Sequence, residues 1–467
     1  MRITIVGAGF SGSVLAIELA RNAASGVDVC LAGVAGNYAR GVAYGDARPE
    51  HLLNVRARQL GATADYPADF ADWLSLTEKA RDRFLPRLVY GEYLHARLHA
   101  AAEISQASLS RVKQEVIAIE RAGNGFRVHL ADGGAFASDQ VVLAVGALPP
   151  QALTGVGPRL AVHPSYIGWP WQDRALENVD ANARLLIVGT GLTMADVVTT
   201  LRRRGHRGPI TALSRHGLLS RAHGDEPAPP VALPPTVLQA LHQHDLREVV
   251  RALRTLSAIV PDWRSLVDAV RPHAQAFWRG LPMAERARFL RHLRPHWEAA
   301  RHRLAPSVAV DIEALRATGQ LRIRAGRLLR ARRIDGAVNV SIRDRGSSEI
   351  RNETCDVLIR ATGLDTDFEH TPDPLMANLR ESGLLAPDPL GLGVITNDRF
   401  EAIARDGRPV RGLHVLGPLL RAQLWEITAV PELRVAARAL ARQLLSSGWL
   451  ATPAAAAIAM PSRRVSF

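Results

Sequence analysis

The chain is poor in cysteine, in lysine and in aromatic residues, and each shortage excludes something. Its 467 residues contain two cysteines, Cys30 and Cys355, each inside a strand-like apolar run where a small buried hydrophobe is expected. With no Cys-x-x-Cys pair, dithiol redox chemistry is excluded. The scarcity of cysteine points to the cytoplasm, as does a start in which Met1-Arg2 run straight into Ile3–Val6 with no leader-like stretch. No segment approaches the ~20 consecutive apolar residues of a membrane span. Lys79 and Lys113 are the only lysines, so arginine carries the formal net charge of +13. A basic chain raises the question of nucleic acid. Its arginines are dispersed, however, with no basic tail and no zinc-finger pattern, so a general arginine bias and anionic small molecules account for the charge better. His292 and His296 are four apart, but Pro295 intervenes and no His-Glu-x-x-His pattern occurs, so no metal site is expected. No catalytic triad or Walker phosphate loop is evident, and no catalytic acid or base can be named.

What is present is an approximate duplication. The first copy has the strand Ile3–Val6, the turn Gly7-Ala8-Gly9-Phe10-Ser11-Gly12, a helix-like run Ser13–Ala20 and a strand Val27–Ala32. Later come a hairpin-like stretch (Val112–Glu120, Gly125–Leu130) and the apolar strand Val141–Gly146. The second copy has Arg184–Val188, the turn Gly189-Thr190-Gly191-Leu192-Thr193-Met194, a helix Ala195–Arg204 and a strand Pro209–Ser214. Strand-like segments Leu321–Ile334 and Val338–Arg343 follow, and Val357–Gly363 closes the copy. Strand, glycine turn, helix, strand is the order of a parallel βαβ unit. The predicted fold is therefore α/β, with two Rossmann-like dinucleotide-binding domains and a helical insertion. Residues 1–150 and 355–467 form the first domain (insertion 36–107), 151–220 and 309–354 the second, and 221–308 the helical insertion.

A diphosphate needs bare backbone N–H groups at a helix N-terminus. In Gly7-x-Gly9-x-x-Gly12 the first glycine permits the turn, the second lets the phosphates approach, and the third lets helix and strand pack. Ser11 lies within the same turn. The acid that ordinarily ends the second strand and binds ribose hydroxyls is missing, since Leu31-Ala32-Gly33 stand there. Arg40 or a backbone contact must serve instead. In Gly189-x-Gly191-x-x-Met194 the third glycine is replaced, which predicts looser packing. Thr193 is either a phosphate contact or an ordinary helix-start threonine. Arg215, just past Ser214, suits the 2′-phosphate of NADPH better than the bare ribose of NADH, unless it is one more surface arginine. Thr362-Gly363 and Gly417 end late strands that are expected to close over a flavin. Thr428 precedes a long helix beginning near Val430, which either points its N-terminus at the flavin or simply packs. The arginine and histidine density from Arg286 to Arg303 is either a solvated helix face or an anion-binding wall.

Taken together, Gly41-Val42-Ala43-Tyr44, His51-Leu52-Leu53-Asn54-Val55, Asp69-Phe70-x-x-Trp73-Leu74, Gly189–Asp196, Ser214-Arg215, Arg288–His292 with Trp297 and Arg301–Arg303, and Leu424–Arg434 resemble a family of FAD- and NAD(P)-binding proteins. The resemblance spans nearly the whole chain, although Ala32 stands where relatives tend to carry an acid. The better understood relatives are flavin-dependent N-hydroxylating monooxygenases. The resemblance implies FAD at Gly7, Gly9, Ser11 and Gly12 and places Asn54 near the isoalloxazine, although His51 and Asn54 read by themselves could simply cap a loop. It favours an FAD-dependent, NADPH-using monooxygenase that hydroxylates a small polar amine or amino acid with molecular oxygen. An NAD(P)H-dependent flavin oxidoreductase without oxygen insertion is the alternative, and a non-enzymatic nucleotide- or RNA-binding flavoprotein a minor one. No membrane partner is expected, and oligomeric state is open.

Overall fold

The computed structural model describes residues 1–34, 38–172 and 174–446. The chain folds into two compact units: residues 1–47, 56–149 and 365 onward form the first, residues 48–55 and 150–364 the second. The described strands are β1 (Arg2–Val6), β2 (Asp28–Ala32), β3 (Ser108–Val112), β4 (Val116–Ala122), β5 (Gly125–Leu130), β6 (Ala135–Ser138), β7 (Gln140–Leu143), β8 (Tyr166–Ile167), β9 (Leu185–Val188), β10 (Ile210–Ser214), β11 (Leu321–Ile334), β12 (Ala337–Asp344), β13 (Ile350–Cys355), β14 (Val357–Arg360), β15 (Glu401–Ile403) and β16 (Pro409–Val415).

Among the described residues the first unit holds a sheet ordered β15-β16-β7-β1-β2-β3 and a separate antiparallel sheet β4-β5-β6. The second unit holds one sheet ordered β13-β12-β11-β10-β9-β14-β8. The duplication extends to topology, because β7-β1-β2-β3 and β14-β9-β10-β11 are the same four parallel neighbours in the same order. The long crossovers also fall at equivalent places, between β2 and β3 and between β10 and β11. The two insertions read from the sequence are thus one connection of the repeat, expanded twice.

Parallel strands covered on both faces must be apolar on both faces. In β9, Leu185 and Ile187 join one core with Val198 and Leu201 of the helix Leu192–Arg203, while Leu186 joins another with Val338, Val340 and Ile342 of β12. The helix Pro306–Ala317 contributes Ile312 and Leu315 to the first of these cores. It therefore covers the sheet itself, whereas an insertion ending at 308 was expected. The helices from Pro235 onward have a small core of their own, with Val237, Leu241, Val249, Leu256 and Leu266.

Other boundaries also differ from the sequence reading. Residues 355–364 fall in the second unit, because β14 pairs with β9, and residues 447–467 of that expected segment lie outside the described residues. Residues 48–55 join the second unit as well. The Arg48 N–H donates to His51 Nδ1 at 3.2 Å, which leaves the ring proton on Nε2, 2.9 Å from Thr200 Oγ1, and Thr200 in turn donates to Glu50 at 2.8 Å. The expected hairpin strand Val112–Glu120 is two strands. Its first residue ends β3, which pairs parallel with β2, and β4 opens the antiparallel sheet.

Gly189 has φ +120°, and a Cβ there would stand 2.0 Å from the carbonyl oxygen of Ala361, whereas nothing lies within 4 Å of a Cβ on Gly191. Gly189→Ala is therefore expected to cost about 2 kcal/mol or more in thermal or denaturant unfolding, and Gly191→Ala much less. Equal effects of the two would contradict this packing.

Candidate functional site

Each glycine turn is set by the same few hydrogen bonds. The Gly7 N–H donates to Ala32 O and the Gly189 N–H to Leu213 O, both at 2.8 Å. The Ala144 N–H donates to Val6 O at 2.8 Å, and its counterpart Ala361 to Val188 O at 2.7 Å. Gly7 and Gly189 adopt φ +108° and +120°, in the region that favours glycine. A Cβ on Gly7 would lie 2.3 Å from Ala144 O, just as one on Gly189 would strike Ala361 O. In both copies the first glycine lets the neighbouring strand end close over the turn.

The second glycine of each turn caps a helix. Phe10–Asn22 follows Gly9 and Leu192–Arg203 follows Gly191, and among the described residues neither helix has a side-chain cap or an acid in its first turn. Their leading N–H groups, at Phe10, Ser11 and Gly12 and at Leu192, Thr193 and Met194, are the orphan donors of a helix start. A Cβ on Gly9 would meet Gly41 Cα at 3.5 Å, and Gly191 is exposed. Bare amides at the positive end of a helix dipole fit a diphosphate.

The third positions differ in how they hold the helix. A Cβ on Gly12 would lie 1.9 Å from Gly7 O, so this glycine serves helix-to-turn contact. Met194 instead buries its side chain in the second unit's core, at 1% exposure, with Leu185 and Ile187. That correction replaces the expected loosening with side-chain packing.

Around the first turn the structure gathers Ser11, which is buried, and Gly417, whose φ is +116° and whose Cβ would lie 3.0 Å from Ser11 Oγ. The chain after β2 folds back over the turn, with the Ala39 N–H donating to Ala8 O at 2.9 Å. Arg40, one candidate for the missing ribose contact, pairs with Glu92 at 2.9 Å. The Gly41–Tyr44 and Asp69–Trp73 motifs build an aromatic cluster next to Phe10. Tyr44 and Tyr90 lie 4.8 Å apart, Phe10 and Tyr90 6.3 Å, and Phe70 and Tyr90 4.9 Å. Burial pushes the Tyr44 phenol up to about 12. Asp69 accepts from Tyr93 Oη at 2.6 Å and from Arg97 Nε and Nη2, each at 2.7 Å. These motifs support the turn from behind. Thr428 precedes the helix Val430–Ser446, which packs on Phe10–Asn22 and is anchored where Arg434 donates to Gln59 O and Gly61 O at 3.0 and 2.9 Å.

Thr362 and Gly363, expected with Gly417, lie in the second unit beside Gly189, where Ala361 closes that turn. Asn54 likewise falls in the second unit, its carbonyl 3.0 Å from His223 Nε2.

Around the second turn Thr190 lies 2.5 Å from Leu218 O and 2.9 Å from Ser214 Oγ, and Ser214 Oγ accepts the Gly217 N–H at 3.0 Å. This network sets the path of the chain past β10. Arg215 is exposed there, beside His216. The Arg345 guanidinium donates to His216 Nδ1, and His296 faces the same ring at 5.9 Å between centroids. Arg345 was not legible from the sequence, being far from Ser214 along the chain, whereas His296 lies in the Arg286–Arg303 stretch read there as either a solvated face or an anion-binding wall. In the helical region Arg288 is held by Glu285, Arg294 by Glu298 at 2.9 Å and Arg303 by Asp268 at 2.8 Å. Much of the Arg286–Arg303 density is therefore neutralised locally. Cys30 and Cys355 are both buried and free of disulfide, and burial pushes the Cys355 thiol up to about 12. Among the described residues no helix is long and apolar enough to cross a membrane.

A chain with the same strand–turn–helix–strand unit twice, each turn open to a diphosphate, is an α/β protein with two Rossmann-like dinucleotide folds. Comparisons agree with that class. Residues 4–148 match the model of the FAD-NAD(P)-binding family. An uncharacterised protein of Mycobacterium tuberculosis is 24% identical over 405 residues, covering 78% of this chain and 73% of its own length. The ornithine N-hydroxylase of Kutzneria sp. 744, solved with reduced FAD, NADP+ and L-ornithine, shares the fold with a TM-score of 0.62 at 15% identity, over 95% of this chain and 98% of that one. The L-lysine 6-monooxygenase of Pseudomonas syringae does so with a TM-score of 0.60 at 18% identity, over 95% and 99%.

Gly12→Val cannot clear the Gly7 carbonyl without moving the helix from the strand. Purified Gly12→Val protein is expected to lose the dinucleotide of the first turn and to keep any held at the second, measured by absorbance and by chromatography of the heat-released ligand. A fully loaded variant would contradict the geometry.

Proposed function

We propose that the chain is an FAD-dependent, NADPH-using monooxygenase that hydroxylates the amine of a small polar substrate, an amino acid or diamine. The observation that carries this reading is the pair of equivalent uncapped glycine turns in a fold shared with amino-acid N-hydroxylases. When bound, FAD and NADPH supply the redox chemistry, taking electrons from the nicotinamide and activating molecular oxygen. The protein's part is to bind, orient and exclude water.

On this reading Gly7, Gly9, Ser11 and Gly12 hold the FAD diphosphate, and Gly417 leaves room beside Ser11 for it. The helix after Thr428 directs its N-terminal dipole at an electron-rich ligand, with Arg434 fixing its position. Gly189, Gly191, Thr193 and Met194 supply the amides for the NADPH diphosphate. The Thr193 hydroxyl, which caps no helix, is available to the same phosphates, and Arg215 faces the adenosine end. Thr362 and Gly363 shape the rim of this second turn. Two buried cysteines without a disulfide are consistent with a cytoplasmic enzyme.

Anaerobic mixing of the yellow protein with NADPH should bleach the flavin faster than mixing with NADH. In air, NADPH use should rise with a cognate amine and match hydroxylated product, with L-ornithine, L-lysine and cadaverine as first probes. NADPH oxidation with no hydroxylated product from any amine would favour a reductase. Arg215→Ala should weaken NADPH about tenfold relative to NADH, and an unchanged preference would contradict its placement.

A further inference from the structure

His216 lies two residues past the end of β10, and three elements bring charge to it. Ser214 pairs with Ala325 of β11, and the Arg345 N–H donates to Ala325 O at 2.9 Å. The chain leaving β12 is thereby returned to the level where β10 ends. There the Arg345 guanidinium donates to His216 Nδ1. A ring that accepts at Nδ1 is neutral and carries its proton on Nε2. The helix Arg294–Arg301 adds His296, edge-on to the same ring, and Arg215 precedes it in the chain.

The surrounding carboxylates are committed elsewhere. Asp344 is 2.5 Å from Arg324 and 3.6 Å from Arg351, and Glu353 is 2.7 Å from Arg324. Burial, then Arg345, Arg215 and His296, all push the His216 pKa below its ordinary value, and no acid among the described residues opposes them. The site is thus an unbalanced positive cluster, two guanidinium groups and two imidazoles, at the strand end where a dinucleotide's adenosine ribose is bound in this fold. An arginine aimed at an unprotonated imidazole is a contact that an anion displaces readily.

We propose that Arg345 and His216, with Arg215, grip the 2′-phosphate of NADPH, and that His216 takes up one proton as the phosphate binds. The inference rests on the reading of the second turn as the NADPH turn. The Arg345 N–H groups turn from Nδ1 to the phosphate oxygens. Nδ1 accepts a proton from solvent and then donates to the same dianion. No covalent bond is made or broken apart from that proton's transfer. His296 stands edge-on beside the same ring.

The sign follows from linkage. Burial and the neighbouring cations hold His216 below its usual range, and a bound phosphate raises it. Affinity for a 2′-phosphate therefore grows as pH falls from 8.5 toward 6.5. Below that the phosphate's own second ionisation, near pH 6, works the other way. A ligand without the 2′-phosphate escapes both effects, so the preference for NADPH over NADH is itself pH-dependent.

The test is calorimetric titration of the flavin-loaded protein with 2′,5′-ADP and with 5′-AMP, between pH 6.5 and 8.5, in two buffers of different ionisation enthalpy. For 2′,5′-ADP we expect about five- to tenfold tighter binding at pH 6.5 than at 8.5, with a buffer-dependent proton uptake that averages about half a proton over that range. 5′-AMP should show neither. His216→Gln should still bind 2′,5′-ADP, with a flat pH profile and no proton uptake. Arg345→Ala should lose about tenfold or more for 2′,5′-ADP and little for 5′-AMP. Buffer-independent, pH-independent binding by the wild type, or an unaltered profile in His216→Gln, overturns the proposal while leaving the NADPH reading intact. Binding of 5′-AMP with no gain from the 2′-phosphate at any pH overturns both.

Discussion

The structure depends on one contact made twice: the carbonyl at the end of a neighbouring strand sits where a side chain on the first glycine would be. Ala144 O occupies that place over Gly7, and Ala361 O over Gly189. Only a residue without Cβ and with positive φ can pass beneath. The turn it permits delivers the chain into a helix whose first N–H groups have no side chain to satisfy them. An uncapped helix start costs stability unless water or a ligand meets its donors. The two that follow the glycine turns, at matched positions in matched sheets and with no acid in their first turns, are intelligible if each meets a diphosphate.

Charge is arranged around the same frame. Some of the arginines are held in ion pairs, several at helical spacing, such as Arg294–Glu298 and Arg316–Glu313. Such exposed pairs contribute little to stability; their effect is to cancel charge locally. Where β10 ends, the cancelling acids are drawn off by Arg324 and Arg351, so Arg215 and Arg345 are left to act on His216.

Much of this was legible from residue order alone. Both glycine turns, the strands on either side of them and the helix beginning at Val430 follow from local periodicity and from glycine's special conformations. What escaped depends on pairing over long separations. Nothing in the sequence around Asp344 says that Arg345 will face His216, since that needs the register of β10 on β11 and of β11 on β12. The assignment of 355–364 turned on β14 pairing with β9, and an apolar strand read alone does not name its neighbour. In the sequence Gly12 reads as the third glycine of its turn and Met194 as the loss of one. In the structure they are two ways of holding a helix, one by backbone approach and one by a buried side chain. The segment 48–55 was grouped with its chain neighbours, whereas a histidine–threonine–glutamate chain holds it to the helix of the second turn.

The most direct measurement of the central claim is native mass spectrometry of the protein equilibrated with FAD and NADP+, beside Gly7→Val and Gly189→Val variants. The account predicts one of each dinucleotide per chain, with FAD lost from the first variant, NADP+ from the second, and the other ligand retained in each. Loss of neither, or retention of FAD by the Gly7 variant at full stoichiometry, would contradict it.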